Sequence, residues 1–158
     1  YPEIALSPSE HNAAEITDRV AARALHCGFL RVPVARPPGL TMRTLFTEPI
    51  VVAVPLDHRL ARKPRTGPDA GVALKDFQGE NLIFVRRPGA PGLYANLLAL
   101  CEERGIYPNV AAEVDRMMTA LNLVAAGAGI SVVPASMQSV HVHAVAYRPL
   151  ASSLASGE

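Results

Sequence analysis

The sequence predicts an α/β protein in which amphipathic helices alternate with buried strands. The segment 117–136, MMTALNLVAAGAGISVVPAS, indicates this most directly. Its apolar residues recur at helical spacing up to Gly127 and Gly129, and glycine tolerates the left-handed conformation that often ends a helix. A continuous apolar run at 130–133 follows and stops at Pro134, which is typical of a strand covered on both faces. A helix that leads into such a strand is half of a βαβ unit.

Two further observations support this fold class. The run 50–54, IVVAV, is apolar throughout, so we expect a strand that is buried on both faces and paired in parallel. A strand at 82–85 is followed by a helix at 93–104, for which Gly105 is the expected end. The other predicted elements are strands at 4–6, 28–30, 110–114, 140–143 and 145–150, a helix at 12–25 and a helical turn at 74–77.

The predicted helix at 12–25 carries a start signal. Asn12 is a favourable N-cap, and Glu15 lies at the spacing that closes a capping box. Ile16, Val20 and Ala24 mark the face that we expect to be buried.

Composition excludes several classes of protein. The chain has 158 residues, enough for one domain or two small lobes, and its formal net charge of +1 does not demand a nucleic acid or a membrane as partner. No apolar run approaches the roughly 20 residues of a membrane span, and no signal peptide precedes Tyr1. Cys27 and Cys101 lie in apolar segments, which favours a reducing, cytoplasmic location over a disulfide framework. The basic loop at 59–65 reads as a solvated loop, with polyanion binding as the alternative.

Sequence patterns for catalysis are weak, and we predict that the chain is not an enzyme. No serine stands in a G-x-S-x-G turn, and no pair of carboxylates suggests an acid and base couple. An enzyme that uses Cys27 or Cys101 remains an alternative hypothesis. His141 and His143 have a spacing that can bind a metal, but no third ligand is indicated nearby. The glycines after the helix at 117–126 stand in the wrong order for a dinucleotide loop, so no cofactor is expected.

Anion binding at helix amino termini is the chemistry that remains. Two loops, 10–13 and 88–94, lead from a predicted strand into a helix, where free backbone N–H groups and the helix dipole favour a carboxylate. Arg31 follows one strand end, and Arg86 or Arg87 precedes the second loop. Each can donate forked hydrogen bonds to a carboxylate. Ligands in open α/β sheets bind beyond the carboxyl ends of strands, and all these positions lie at such ends.

Several segments resemble the effector domain of LysR-type transcriptional regulators. The signature LNLVAAGAGISVVPAS at 121–136 is joined, in the family's order, by YPEIAL at 1–6, CGFLR at 27–31, EPIVVAVPLDHRLA at 48–61 and VAYRPL at 145–150. The resemblance covers essentially the whole chain. It is strongest to the subgroup that responds to benzoate, muconate and related acids.

The resemblance implies a periplasmic-binding-protein-like (type II) fold of two α/β lobes with an effector cleft between them. Lobe I would comprise 1–47 and 147–158, and lobe II would comprise 48–146. Compared with the family, the domain is truncated at both ends, and lobe I is incomplete. The resemblance also implies a homodimer or tetramer that is not an enzyme, with DNA bound only through a helix-turn-helix domain that precedes this chain and is absent from it.

The same resemblance suggests which residues bind a small aromatic or dicarboxylic acid. Arg31 matches a residue of a second, more buried aromatic site, and the helix start after the 88–91 loop matches the amides that hold the effector carboxylate. Met117 is expected to line the cleft, since methionine adapts to irregular shapes. Ala13 departs from the family, which often has threonine there, and so lacks one hydroxyl. The predicted effector-binding residues are Asn12, Ala13, Arg31, Pro91, Gly92, Leu93, Tyr94 and Met117. A solute-binding protein of a transport system on the same fold is the alternative.

Overall fold

In the computed structural model, the described residues are 3–30, 37–67, 70–86 and 92–151, with the side chains of 92–94 excepted. The chain divides into two units. The first comprises Tyr1–Arg43 and Arg87–Pro91, and the second comprises Thr44–Arg86 and Gly92–Glu158. The lobe boundaries expected from the sequence, at 47/48 and 146/147, stay a prediction.

Unit 1 is built around helix α1, Ala13–Ala21. The predicted capping box is confirmed, because Asn12 Oδ1 accepts a hydrogen bond from the Glu15 N–H at 2.9 Å and a Glu15 carboxylate oxygen accepts one from the Asn12 N–H at 3.2 Å. Ile16 and Val20 are half-buried and pack beside Gly28, where a Cβ would lie 2.1 Å from the Ile16 Cγ2. Glycine at 28 therefore lets the chain return closely against α1.

Helix α1 is shorter than the sequence predicts. Arg23 has a positive φ of 59°, and this left-handed conformation ends the helix at Ala21, before the expected end at Leu25. The N–H groups of Ala24 and Leu25 both donate to the Arg19 carbonyl. Ala24 is consequently exposed and does not belong to a buried face.

The strands predicted at 4–6 and 28–30 are not formed. Both segments are irregular, Cys27 is exposed, and Phe29 is 78% exposed. Short strands depend on hydrogen-bonded neighbours, and none of the paired strands in the described part of the chain lies in unit 1. The apolar pattern was therefore a poor guide here, because no described strand pairs with these segments.

Unit 2 contains the regular structure that the sequence signals most strongly. Its strands are β1, Ile50–Pro55; β2, Asn81–Val85; β3, Asn109–Val114; β4, Ser131–Pro134; and β5, Val145–Pro149. Its helices are α2, Gly92–Glu103, and α3, Met117–Ala125, with 3₁₀ helices at Arg59–Arg62, Leu74–Phe77 and Ala135–Ser139. Gly105 and Gly127 have positive φ values of 66° and 79° after α2 and α3, as expected for helix ends. No helix within the described ranges is long and apolar enough to cross a membrane.

Strand β1 is antiparallel, which corrects the parallel pairing expected from its composition. It lies between β4 and β5, with Val51 opposite Val133 on one side and Val52 opposite Arg148 on the other. Val52, Ala53 and Val54 are fully buried. An unbroken apolar run reports burial on both faces, and that part of the prediction is confirmed. It carries no information about strand direction.

Strands β2 and β3 form a parallel pair that is joined to β4 by an isolated parallel bridge. The Ile83 N–H donates to the Ile130 carbonyl at 2.9 Å, and the Ile130 N–H donates to the Asn81 carbonyl at 2.8 Å. This parallel bridge aligns β2 with the start of β4. The strands then follow one another in the order β3, β2, β4, β1 and β5.

The segment 140–143, predicted as a strand, is a turn. His141 adopts a positive φ of 51°, and its carbonyl accepts hydrogen bonds from the N–H groups of Ala144 and Val145. The Tyr147 hydroxyl donates to the Val140 carbonyl and holds the start of the turn against β5. The two histidines therefore do not share a strand face.

Paired charges hold the basic segment after β1. The Lys63 ammonium and the Arg59 guanidinium pair with Asp76, and Arg59 also pairs with Glu80. The His58 Nδ1 accepts a hydrogen bond from the Leu60 N–H, which leaves the Nε2 proton to be donated to Glu80 at 3.1 Å. The segment is thus tied to the second 3₁₀ helix, although the sequence suggested a purely solvated loop.

Gly129 should be intolerant of any side chain. A Cβ at this position would lie 2.4 Å from the Asn81 carbonyl oxygen, which is the acceptor in the bridge between β2 and β4. We expect Gly129→Ala to lower the free energy of unfolding by about 1–3 kcal/mol, measured by urea denaturation. Ala128→Ser at the neighbouring exposed position is the control, with a change within about 0.5 kcal/mol. Equal stability of the two variants would contradict the close approach.

Asp76 should make the stability of the fold depend on pH in the acidic range. Burial acts to raise its pKa, but the Lys63 ammonium, the Ala73 N–H and the Arg59 charge together outweigh it, so the pKa lies below its ordinary value. A lowered folded-state pKa adds stability that is present above the unfolded pKa of about 3.9 and is lost as pH falls through the folded pKa.

We therefore expect Asp76→Asn to lower the free energy of unfolding by about 1 kcal/mol at pH 7. The difference from wild type should narrow as pH falls below about 4. Urea denaturation across pH 7 to 3 measures both, with the exposed Asp57→Asn as the matched control. A difference that stays constant with pH would contradict the role given to the Asp76 charge.

Candidate functional site

The carboxyl ends of four strands lie at one edge of the unit 2 sheet, and β5 is one of them because β4 and β5 are both antiparallel to β1. Strand β2 leads towards α2, β3 leads directly into α3, and β4 ends at Pro134. Because β2 and β3 are parallel, and β4 is aligned with β2 through the Ile130 bridge, these three ends lie on the same side. We call this the carboxyl edge. It is the place where open α/β sheets bind ligands.

The amino terminus of α2 lies at the carboxyl edge and has no acidic residue in its own first turn, which begins at Gly92. The first N–H groups of a helix have no partner within it, and the helix dipole places partial positive charge there. A carboxylate at this position would therefore be stabilised by backbone groups alone.

A carboxylate of the chain itself already lies at the amino terminus of α1. The Glu15 carboxylate sits over it through the capping box, and the Asn12 Oδ1 takes the Glu15 N–H. His11 contacts the same carboxylate, with its Nδ1 3.6 Å from Glu15 Oε2. The sequence indicated two helix starts for anion binding. Of these two, only the start of α2 has no acidic residue in its first turn.

Asn12 and Ala13 lie in unit 1, at the start of α1. Both are half-buried. The Asn12 side chain is used for capping, so its oxygen already has a donor. Ala13 is the first helical residue and offers only its backbone N–H as a polar group. Whether either residue contacts an effector stays a prediction.

The remaining predicted site residues fall into two groups. Gly92, Leu93 and Tyr94 form the first residues of α2, and Met117 begins α3, half-buried and packed against the hydrophobic core. Gly92 and Met117 therefore both lie at the carboxyl edge, and their contact with an effector stays a prediction. Arg31 and Pro91 lie outside the described residues, as do Arg87 and the 88–90 loop.

Arg86 is less available for a ligand than the sequence suggested. It follows β2, and its Nη2 lies 3.1 Å from a carboxylate oxygen of Glu113 on the neighbouring strand β3. The pair is exposed, so its contribution to stability is small. A ligand carboxylate would have to compete with Glu113 for this guanidinium.

Two polar contacts at the two ends of β4 were missed by reasoning from sequence. The Ser131 hydroxyl is buried and donates to the Ile83 carbonyl at 2.8 Å, so it adds a side-chain link between β4 and β2. The Glu48 carboxylate accepts a hydrogen bond from the Ser136 N–H at 3.0 Å and holds the start of the last 3₁₀ helix. A lone serine in an apolar strand was the available signal for the first contact.

The groups considered for catalysis or metal binding are not assembled into a site. Cys27 is exposed in unit 1, whereas Cys101 is buried in α2, where burial raises the pKa of its thiol and so disfavours the reactive thiolate. The rings of His141 and His143 are 6.1 Å apart and edge to face. Among the residues that the structure describes, no group of three or more His, Cys, Asp or Glu side chains could hold a metal ion.

Comparison with known proteins defines the class. The family model of the LysR substrate binding domain matches residues 1–157. The chain therefore belongs to this family, whose fold is the type II periplasmic-binding-protein-like fold. It is an effector-binding domain of the LysR type.

Individual relatives agree with this assignment. The uncharacterized HTH-type transcriptional regulator YnfL of Escherichia coli (strain K12) is 31% identical over 158 residues, which cover 100% of this chain and 51% of that protein. The HTH-type transcriptional regulator BenM of Acinetobacter baylyi (strain ATCC 33305 / BD413 / ADP1) is 29% identical over 150 residues, or 95% of this chain and 48% of BenM. The chain thus spans about half the length of the curated relatives that it matches.

Solved structures show the same likeness. The BenM effector-binding domain with its effector benzoate has a TM-score of 0.71 and 30% identity, covering 90% of this chain and 62% of that one. A BenM effector-binding domain variant has a TM-score of 0.73 at 30% identity, with coverage of 89% and 62%. The chain resembles these proteins, and the bound benzoate is a property of the BenM domain.

The capping role of Asn12 can be tested without a ligand. We expect Asn12→Ala to destabilise α1 by about 1 kcal/mol, because the Glu15 N–H loses its acceptor, and Asn12→Ser to retain most of the cap. Amide hydrogen exchange across Ala13–Ala21 should be about fivefold faster in Asn12→Ala. Identical exchange in the two variants would show that the cap contributes nothing.

Proposed function

We propose that this chain is the effector-sensing part of a transcription regulator and that it binds a small aromatic or dicarboxylic acid. Membership of the LysR family supports the general role. The observation that carries the ligand class is the amino terminus of α2, which lies at the carboxyl edge without an acidic residue in its first turn. A carboxylate is the group that such a helix start stabilises best.

The proposed site uses the residues expected from the sequence. The amides of Gly92, Leu93 and Tyr94 hold the carboxylate, and Pro91 belongs to the loop over it. Met117 provides apolar contact from the start of α3, where it is half-buried. Asn12, Ala13 and Arg31 are proposed as the contribution of the other lobe, with Arg31 favouring an aromatic acid. The benzoate bound to the similar BenM domain supports an acid of this size.

The effector would act on the parent protein by changing the relative populations of two arrangements of its lobes. A ligand that binds one arrangement of the lobes more tightly than another shifts the balance between them by its difference in affinity. In a homodimer or tetramer this shift would alter the placement of the DNA-binding domains. We propose that DNA is bound by a helix-turn-helix domain elsewhere in the parent protein, and that the parent is cytoplasmic. The curated relatives named above as HTH-type transcriptional regulators support this proposal.

Replacement of Gly92 by proline tests the α2 amide site. Proline is tolerated at the first position of a helix but has no N–H, so Gly92→Pro removes one donor and preserves α2. We expect benzoate or cis,cis-muconate, whichever binds wild type more tightly by isothermal titration calorimetry, to bind Gly92→Pro about tenfold more weakly. Gly92→Ala keeps the amide and should bind within about threefold of wild type.

The control measurement is circular dichroism, which should show the same helix content in all three proteins. Equal affinity of Gly92→Pro and wild type would remove the α2 amides from the site. If no aromatic or dicarboxylic acid binds either this chain or the intact parent protein, the proposed ligand class is wrong.

A further inference from the structure

A pocket lies within unit 2 at the β1 and β5 side of the carboxyl edge. Its volume is about 180 Å³. It is formed by the first residues of β1, the last residues of β5, a residue of the last 3₁₀ helix and an arginine. The lining residues are Pro49, Ile50, Val51, Arg65, Gln138, Tyr147 and Pro149. Two strand spacings, or about 10 Å, separate β1 from β2, and none of the lining residues belongs to α2, so this pocket and the α2 site are formed by different residues.

The pocket has a preformed apolar floor. Val51 lies directly opposite Pro149 in the β1–β5 ladder, and Tyr147 lies opposite Ala53, so these side chains share one face of the sheet. The Tyr147 side chain is fixed, since its hydroxyl donates to the Val140 carbonyl. An apolar cavity of about 150 Å³ is large enough to bind benzene. The pocket therefore has room for a single aromatic ring.

Arg65 places a positive charge at the rim of the pocket. Arg65 is exposed and makes only a long contact there, with its Nη2 3.4 Å from the Gln138 side-chain oxygen. Arg148 lies close enough that the Arg65 charge, after burial, helps to lower the pKa of Arg148. Neither guanidinium forms an ion pair with a carboxylate of the described residues.

The acidic residue nearest to Pro49 in sequence, Glu48, accepts a backbone hydrogen bond from another element. The donor is the Ser136 N–H, and Glu48 is not one of the lining residues. The Arg148 guanidinium is held by backbone acceptors, the carbonyls of Tyr147 and Ala61, and its buried Nε has no partner. Arg65 is therefore the charged group of this rim with donors to offer to a ligand.

We propose that this pocket binds a small aromatic monocarboxylate, with the ring against Pro49, Val51 and Tyr147 and the carboxylate on Arg65. The planar guanidinium donates two parallel hydrogen bonds to a carboxylate. The Gln138 amide N–H can donate to the same group. This site goes beyond the proposed effector site, and it does not depend on it, because no lining residue belongs to α2 or to the loop before it.

The test follows individual side chains of the 158-residue chain by NMR during a titration with benzoate. Methyl groups of Ile50 and Val51 report on the pocket, because an aromatic ring shifts the resonances of the methyl groups that it covers. Arg65→Gln removes the charge at the rim. Arg62→Gln is the matched control, since Arg62 is also exposed and basic but lies outside the lining. Benzamide is the neutral probe of the same shape, and Gly92→Pro disables the other proposed site.

We expect saturable shifts at Ile50 and Val51 in wild type, Arg62→Gln and Gly92→Pro. The apparent Kd for benzoate should rise about tenfold in Arg65→Gln, and benzamide should bind as weakly to wild type. Unchanged resonances of buried Val133 would show that Arg65→Gln keeps the fold.

Absence of shifts at these methyl groups would overturn the proposal, as would an unchanged Kd in Arg65→Gln or equal binding of benzamide. Loss of the shifts in Gly92→Pro would assign them to the α2 site and would also overturn it. Normal shifts in Gly92→Pro, with unaltered total benzoate affinity, would instead support this pocket and contradict the α2 proposal.

Discussion

The structure of unit 2 depends on one short contact, the parallel bridge between Ile130 and β2. Two backbone hydrogen bonds, from the Ile83 N–H and to the Asn81 carbonyl, join the parallel strands to the antiparallel ones. Gly129 makes the approach possible, because a Cβ there would collide with the Asn81 carbonyl. The buried Ser131 hydroxyl adds a side-chain link at the next residue. The run GAGIS at 127–131 is thus a joint between sheets, and the carboxyl edge exists because this joint aligns β4 with β2.

Electrostatics then distinguishes the two helix starts that look alike in sequence. Both follow a loop, and both have free N–H groups in their first turn. Glu15 places a carboxylate over the start of α1, whereas α2 has no acidic residue in its first turn. The same capping box that made α1 easy to predict also makes it a poorer anion site. Elsewhere in unit 2, Asp76 and Glu80 are held by Arg59, Lys63 and His58.

Prediction from sequence succeeded where the signal was local or depended on burial. The capping box at Asn12, the glycine ends of α2 and α3 and the buried run of β1 are each confirmed. It failed where an element needed a partner. The segments 4–6 and 28–30 have strand-like composition but no strand to pair with in the described part of unit 1, and 140–143 is turned by the left-handed His141. The positions of Gly92 and Met117 at helix starts were predictable, because helix starts are local features, and the part of these residues in a site stays a prediction.

The sequence alone determined the fold class, the family, the start of α1 and the glycine ends of α2 and α3. Those properties follow from apolar periodicity, caps and glycines, which act within a few residues. Only the tertiary structure decided that β1 is antiparallel, that Arg86 pairs with Glu113, and that Arg65 stands over a pocket formed by Pro49 and Pro149. Each of these joins residues from separate strands or loops, and their meeting is set by sheet order and register, which no local pattern encodes.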